Sequence, residues 1–324
     1  MYTLGKLLSV AEQILRLLPL LSDLLWYSFA FFLITGSGYF LISGSLYWLF
    51  FGRPRKDPQE GNQKEDHHRK KQSQLVSLSA LRSDMVLSIY STGIFAVCAA
   101  IMTLAYQQGH TRLYLNPYQH GLSYIPLSFV VVLFLQDTYF YFTHRLAHHP
   151  KCYRWLHQGH HQSKNPTPWT AFAFDPGEAL LQAIYLMAAV YFIPMHITVL
   201  CAVVLTMSLG ALLHHVSLQL FVPSAVSNWF GNWLVGPSHH WYHHRRFTRH
   251  YSLYFTFWDK VLGTQEDGYV AWISSLTHQF ASSDRAAPLS TESKTTESKT
   301  TESKSTKSQA TELAPTELTP AEKC

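Results

Sequence analysis

Long runs of apolar residues dominate the hydropathy pattern of this chain. Residues 24–51 and 85–106 contain no charged side chain, and residues 121–142 contain one, Asp137. Each run is long enough for an α-helix to cross the hydrocarbon core of a bilayer, which takes about 20 residues. The pattern therefore predicts an all-α membrane protein with about three transmembrane helices.

A fourth apolar run covers residues 179–213 and is longer than one crossing requires. Pro194 interrupts it, and a proline within a helix removes a backbone hydrogen bond and clashes with the preceding turn. We therefore predict a helical hairpin that dips into the membrane and returns to the same side. Only a hairpin places the residues that follow the run on the same side of the membrane as the residues that precede it.

The distribution of charge predicts the orientation. Lysine and arginine are concentrated in a loop at residues 52–83, between the first two runs. The positive-inside rule places such a loop in the cytoplasm, so the third run also ends on the cytoplasmic face. Residues 1–23 form an amphipathic N-terminal segment, and together residues 24–120 form an N-terminal transmembrane region. Residues 282–324 are rich in Ser, Thr, Glu and Lys, which predicts a disordered low-complexity tail.

Composition excludes several classes of protein. Charged residues make up 14% of the chain and the formal net charge is +5, without a basic stripe of the kind that binds nucleic acid. The four cysteines have neither paired nor CxxC spacing. They therefore predict neither a disulfide framework nor a zinc ribbon, and they fit a reducing, cytosol-facing environment.

The candidate chemistry lies in clusters of histidine that follow the third apolar run. The clustered positions are His144, His148, His149, His157, His160, His161, His214, His215, His239, His240, His243 and His244. Residues three or four positions apart share one face of a helix, so we expect the members of each cluster to converge on one point. Because neutral imidazole is the commonest metal ligand in proteins, the clusters predict a polyhistidine metal centre.

The number of these histidines predicts two metal ions. A structural zinc site closes with four ligands, and about nine convergent histidines exceed that number. Imidazole binds iron, zinc and copper, so ligand type alone does not fix the metal. Soluble di-iron proteins use glutamates and Glu-x-x-His motifs on a four-helix bundle, and no such motif lies within the histidine clusters of this chain. A centre at the cytoplasmic ends of the spans would be open to an apolar substrate from the membrane.

Other residues near the clusters are candidates for supporting roles. Asp137, Tyr141, His144 and His148 share one helical face, and a carboxylate within a span costs up to about 2.5–3.5 kcal/mol on insertion scales. We therefore expect Asp137 to accept a hydrogen bond from a ligand histidine. Tyr141, His149 and His239 are further predicted supporting residues. Asp175 precedes a proline and is expected to form a turn, while Glu178 is a lesser candidate for an acidic ligand.

From residue 137 to about residue 263 the chain resembles the fatty acid hydroxylase and sterol desaturase superfamily of membrane di-iron oxygenases. The resemblance is carried by the histidine motifs at residues 137–148, 155–161 and 239–244. Two further segments, residues 165–176 and 254–260, look most like C-5 sterol desaturases. The resemblance implies a catalytic domain over residues 121–270, with a helical cap on the cytoplasmic face that carries the polyhistidine di-metal site.

The same resemblance implies an oxidoreductase that uses dioxygen and two electrons to desaturate or hydroxylate a lipid, most closely a sterol. It implies two iron ions as cofactor, which zinc can replace in purified protein, and a cytochrome b5-type or similar electron donor in the endoplasmic reticulum. The ligands it implies are His144, His148, His157, His160, His161, His240, His243 and His244, with one more from His214 or His215. Spacing does not choose between those last two.

Departures from the family leave the substrate and the outcome open. Asp175 stands where C-5 sterol desaturases have a histidine, and the connection from His215 to His239 is longer than theirs. A fatty acyl or sphingolipid hydroxylase is the alternative within the superfamily. A transition-metal transporter is the alternative from another class, and it predicts histidines spread through the depth of the bilayer. A lipid-binding scaffold without activity is disfavoured because no cluster position is missing.

Overall fold

The structure, a computed structural model, describes residues 2–51, 77–215, 233–266 and 268–269. Its helices are α1 (Tyr2–Phe51), α2 (Leu78–Gln107), α3 (Tyr124–Ala147), α4 (Pro150–Leu156), α5 (Pro176–Phe192), α6 (Ile197–His214), α7 (Pro237–Arg245) and α8 (Phe257–Val261). The strands are β1 (Leu113–Tyr114) and β2 (Met195–His196), and two 3₁₀ helices cover His160–Gln162 and Pro168–Phe172. Most of the basic loop, the whole tail and most of the connection after His215 lie outside the described residues.

Four segments are long and apolar enough to cross a membrane. They are Leu17–Phe51, Leu78–Gln107, Tyr124–Ala147 and Ile197–His214. Three of them correspond to the first three apolar runs, and the last is one leg of the predicted hairpin. The prediction of an all-helical integral membrane protein is therefore confirmed. The helices extend past the runs, because amphipathic ends that leave the hydrocarbon can still form helical hydrogen bonds.

The predicted hairpin consists of α5 and α6, which are separated at Pro194. The strand β2 follows this break and pairs in parallel with β1, so that Leu113 aligns with Met195. Tyr124 strengthens the junction by donating a hydrogen bond to the Pro194 carbonyl at 3.0 Å. Because β1 lies between α2 and α3, the hairpin reaches as far as the connection between those two spans. Both open ends of the hairpin therefore lie at the end of the bundle where α3 finishes.

An apolar core holds the hairpin against α3. Val132 of α3, Val190 of α5 and Val203 of α6 are fully buried in one cluster. Tyr185 lies in the same cluster and donates a hydrogen bond through its hydroxyl to the Val132 carbonyl at 2.5 Å. The packing holds the closed end of the hairpin against the N-terminal half of α3.

The segment before and within α8 folds back along α3. Asp137 accepts hydrogen bonds from the backbone N–H groups of Tyr254, at 2.7 Å, and Phe255, at 3.2 Å. One turn away, the Trp258 indole donates to the Thr138 hydroxyl at 3.1 Å. A buried carboxylate in an apolar helix needs donors, and here the returning backbone supplies them.

Candidate metal centre

The end of α3 delivers the first histidines to the site. His144 lies in its last turn, and His148 is its C-terminal cap. Pro150 then occupies the first turn of α4, where its missing N–H is tolerated, and His149 caps that helix by accepting from the Lys151 N–H at 3.3 Å. This sharp change of direction brings the second cluster back over the end of α3.

Nine of the clustered histidines gather into two groups whose members are close enough to share a metal ion. The first group is His144, His148, His157, His161 and His243, and the second group is His160, His215, His240 and His244. Within each group the candidate ligand nitrogens all lie within 4.8 Å of one another. The groups are adjacent, since the rings of His161 and His244 have centroids only 4.6 Å apart.

The expectation that every cluster converges on one point is wrong for two of the three. His157 and His161 join the first group, whereas His160 joins the second. The physical reason is that α4 ends at Leu156, so these histidines lie in a turn and a 3₁₀ helix rather than on one α-helical face. In the third cluster, α7 lies between the groups and presents different sides to each.

The helix α7 supplies the central histidine of both groups. The Nε2 atom of His243 lies 3.0 Å from that of His148 and 3.1 Å from that of His161. In the second group, the Nε2 atom of His240 lies 3.0 Å from those of both His215 and His244. One short helix therefore places histidines in both groups.

Hydrogen bonds on the outer side of the rings fix the tautomer of several histidines. His144 donates from Nδ1 to the Tyr251 carbonyl at 2.9 Å, and His157 donates from Nδ1 to the Glu178 carboxylate at 2.7 Å. Three more Nδ1–H groups donate to backbone carbonyls, from His243 to Arg249 at 2.7 Å, from His160 to Ala173 at 3.1 Å and from His215 to Ala211 at 2.6 Å. With the proton on Nδ1, each Nε2 carries a lone pair.

The Nε2 lone pairs point at one another, and this arrangement shows whether the residues fit a metal ion. The Nε2 atoms of His144 and His157 are 2.9 Å apart, although both rings carry their proton on the far nitrogen. Two acceptors at this distance repel unless a cation binds both. The ligand set, with outer carbonyl and carboxylate acceptors, is the arrangement found around metal-binding histidines. The residues present thus fit metal ions.

Burial keeps the rings in the neutral form that binds metals. Burial, together with a smaller effect of the neighbouring rings of His144 and His160, lowers the pKa of His148 to about 2. Burial also lowers the pKa of His160 to about 4, although the hydrogen bond to Ala173 opposes the shift. Because a protonated imidazole has no lone pair for a metal, the site is ready to bind at neutral pH without losing protons.

Three of the predicted histidines lie outside both groups. His214 is the neighbour of a group member, and its ring stacks on His240 with centroids 5.7 Å apart. His149 is exposed and caps α4. His239 accepts from the Gly236 N–H at 3.2 Å and thereby caps α7. Of the two histidines that spacing left open, His215 is the one within a group.

Asp137 and Tyr141 support the centre less directly than predicted. Asp137 accepts hydrogen bonds from the backbone N–H groups of Tyr254 and Phe255 rather than from a histidine. The hydroxyl of Tyr141 shares a hydrogen bond with that of Thr264 at 2.9 Å, and its ring packs on Tyr251 with centroids 6.2 Å apart. Both residues hold the returning segment whose Tyr251 carbonyl accepts from His144.

Two acidic residues matter more than the sequence indicated. Glu178, at the first turn of α5, is not a member of either group but accepts from His157. Asp259 accepts from the backbone N–H of Tyr251 at 2.9 Å and of Ser252 at 3.1 Å. No spacing to a histidine motif predicts Asp259. The signal that the sequence offers is the position of Asp259 after a run of aromatic residues, because a carboxylate that is buried there needs hydrogen-bond donors.

Asp175 ties the second cluster to the start of α5. Its Oδ2 atom accepts from the Gly159 N–H at 2.7 Å, so its role goes beyond the turn predicted before Pro176. A Cβ atom on Gly159 would lie 2.5 Å from Oδ1 of Asp175 and 2.9 Å from Cδ1 of Leu87. The loop between His157 and His160 is therefore packed too closely for a side chain.

We expect Gly159→Ala to displace this loop and to lower both thermal stability and bound metal. Overpacking of this kind typically costs about 1–3 kcal/mol. The matched control is Gly93→Ala in α2, where a Cβ atom meets nothing within 4 Å. Melting temperature and metal per chain are measured for both variants. Equal metal content in the two variants would contradict the close packing described for Gly159.

Comparison with known proteins agrees with the geometry. Residues 129–264 match the fatty acid hydroxylase family. A Delta(7)-sterol 5(6)-desaturase of Gibberella zeae is 28% identical over 57% of this chain and 55% of its own length. The human lathosterol oxidase is 26% identical over 61% of this chain and 65% of its own. A C-4 methylsterol oxidase of Schizosaccharomyces pombe is 30% identical over 50% of this chain and 51% of its own.

The chain thus spans between about half and two thirds of the length of these curated relatives. No solved structure matches it significantly. The matched region contains most of α3, all of α4 to α8 and both histidine groups, which are the parts that carried the resemblance in the sequence. Over residues 129–264 the chain is therefore similar to the fatty acid hydroxylase family, and its relatives include sterol desaturases and sterol oxidases.

Proposed function

We propose that this protein is a membrane oxidoreductase that binds two iron ions and uses dioxygen to desaturate or hydroxylate a sterol. The observation that carries the proposal is the pair of buried histidine groups at the ends of membrane helices. In the first group, His144 and His157 face each other with lone pairs 2.9 Å apart. The match to the fatty acid hydroxylase family favours iron over zinc and copper, which imidazole ligands also bind.

When bound, the irons would supply reductive activation of dioxygen. Desaturation would remove two hydrogen atoms from adjacent carbons and, with two electrons and two protons from outside, reduce one dioxygen to two waters. The residues of the first group would hold one ion, and those of the second group the other. Carbonyls of Tyr251, Arg249, Ala173 and Ala211 would keep the rings neutral and oriented.

The proposed substrate is a sterol because several relatives are named for sterols. Desaturation at C-5 is favoured over hydroxylation by the motifs at residues 165–176 and 254–260. A fatty acyl or sphingolipid substrate is the alternative within the same chemistry. A lipid would reach the histidines from the bilayer, since α3 and α6 are both apolar spans that end in group members or their neighbours.

The proposed location is the endoplasmic reticulum, with the centre facing the cytosol. The basic residues of the loop at 52–83 support this orientation through the positive-inside rule. A cytosolic, one-electron carrier of the cytochrome b5 type would supply the electrons. The transporter alternative is disfavoured, because its histidines should be distributed through the bilayer rather than gathered at one end of the bundle.

Metal analysis and sterol turnover together test the proposal. Full-length protein reconstituted anaerobically with iron(II) is expected to bind two irons per chain. In neutral lipid with an electron donor and oxygen, it should convert a Delta(7)-sterol to a product with two fewer hydrogens. Well under one iron per chain would contradict the metal assignment. Full iron with unchanged sterol but hydroxylated acyl chains would instead identify the alternative substrate.

A further inference from the structure

Asp84 is an acidic residue buried within a membrane helix. It lies in the second turn of α2, contains the only carboxylate of that helix and is 1% exposed. It belongs to neither histidine group and precedes the residues that match the fatty acid hydroxylase family. Because a carboxylate within a span is costly, such a residue needs buried partners and is commonly functional. Its partners therefore indicate its role.

Asp84 holds the loop that follows the second histidine cluster at two points. One carboxylate oxygen accepts from the Ser163 hydroxyl at 2.7 Å, and the other accepts from the Thr170 hydroxyl at 2.7 Å. Both hydroxyl residues are buried. The neighbouring Ser83 also donates to the side chain of Gln162, at 3.2 Å. We call residues 163–174 the anchor segment, since α2 binds it through Asp84.

The far end of the anchor segment contacts a histidine of the second group. The Ala173 carbonyl accepts the Nδ1 proton of His160 at 3.1 Å. The Phe174 ring stacks on the same imidazole, with centroids 5.7 Å apart. Thr170 is linked directly to this end, because its carbonyl accepts from the Ala173 N–H at 3.0 Å. A displacement of Thr170 would therefore move the carbonyl that keeps the His160 proton on Nδ1.

Other residues of α1 and α2 bind the same segment. Ser91 shares a helical face with Asp84 and donates to the Phe174 carbonyl at 3.0 Å. From α1, Tyr39 donates to the Trp169 carbonyl at 2.7 Å and packs on the Trp169 ring with centroids 5.8 Å apart. Two spans that lie outside the family match thus contact the segment that orients a candidate metal ligand.

We propose that Asp84 is a positioning residue for the second histidine group, an inference that rests on the proposed function. By binding Ser163 and Thr170 together, it holds the Ala173 carbonyl where His160 donates to it. His160 then presents its Nε2 lone pair to the other members of the group. The alternative is that Asp84 only joins α2 to a loop. That role predicts lower stability without a preference for either histidine group.

The test measures cobalt(II) binding to full-length apoprotein in nanodiscs, because the visible absorption of cobalt(II) depends on its coordination geometry. The step of the second group is identified as the one that His215→Gln removes. In Asp84→Ala we expect this step to weaken about 10-fold or more and its absorption to change, while the step of the first group changes less. Asp84→Asn should recover part of the loss, since its amide oxygen still accepts one hydroxyl proton.

Ala100→Gly is the matched control for stability. Ala100 is buried in the same helix, about 24 Å from Asp84 at 1.5 Å per residue, and glycine weakens a helix interior. Melting temperature is measured for every variant. The inference would be overturned if Asp84→Ala lowered the melting temperature as Ala100→Gly does and kept both cobalt steps at their parent values. An equal shift of both steps would overturn it as well.

A second pair of variants decides the question if Asp84→Ala cannot be obtained folded. Thr170→Val removes the hydroxyl that Asp84 binds, whereas Thr170→Ser keeps it. We expect only Thr170→Val to weaken the step of the second group, and equal binding in both variants would refute the role of Asp84. Because metal binding is the readout, parent protein that binds two cobalt ions but, loaded with iron, oxidises no lipid would contradict the proposed function and not this inference.

Discussion

His215→Gln is expected to remove one of two bound metal ions and to lower lipid oxidation by at least about 100-fold, while His214→Gln retains both ions. The two residues are adjacent at the end of α6, but only His215 belongs to the second group. Its Nε2 atom lies 3.0 Å from that of His240, the central member. Loss of an outer partner of a ligand already costs about 10–100-fold, so loss of a ligand should cost more.

The comparison of the two variants is informative because each change removes one imidazole ring, and the two positions are adjacent and both buried. Metal per chain is measured by inductively coupled plasma mass spectrometry, and thermal unfolding shows whether each variant is folded. The assignment of the second group would be wrong if His214→Gln lost the metal and His215→Gln kept it. Equal loss in both would show that the end of α6 matters only for stability.

Glu178→Ala is expected to weaken metal binding at the first group by about 10–100-fold and to reduce turnover in proportion. The carboxylate accepts the Nδ1 proton of His157 at 2.7 Å, and both side chains are buried. Without it, the ring could carry its proton on Nε2, which then would not bind a metal. Glu178→Gln should be milder, since its amide oxygen still accepts the same hydrogen bond while the negative charge is lost.

The measurement for Glu178 is a titration of apoprotein with iron(II) under nitrogen, in which two binding steps are resolved. Only the step of the first group should shift, because the hydrogen bond of Glu178 is to His157, a member of that group. A shift of both steps by the same factor in Glu178→Gln would argue that the residue stabilises the fold rather than one group of ligands. Partial rescue of binding by Glu178→Gln relative to Glu178→Ala supports the hydrogen bond.

The two carboxylates at the start of α5 both support the second histidine cluster. Asp175 accepts from the backbone of Gly159 in the loop between His157 and His160. Glu178 fixes the ring of His157. The start of α5 therefore contacts the second cluster at two points. Asp175 binds the backbone of Gly159, and Glu178 binds the ring of His157.

The sequence by itself determined the membrane helices, their hairpin and the identity of the clustered histidines. These depend on local properties: apolar runs long enough to span a bilayer, a proline that breaks a helix, and a residue type that binds metals. Pro150 is a local signal of the same kind, because a proline is tolerated in the first turn of a helix but not in its interior. The prediction failed where it assumed that every cluster was one helical face.

Only the tertiary structure decided how the histidines divide between two groups. His160 and His161 are neighbours in the chain but belong to different groups, since the 3₁₀ helix around them turns their rings apart. The position of α7 decided that His215, and not His214, belongs to the second group, because α7 supplies the other members His240 and His244. The roles of Asp259 and Glu178 likewise depend on contacts between distant segments. Such contacts follow from packing of the whole chain, and no short stretch of sequence contains them.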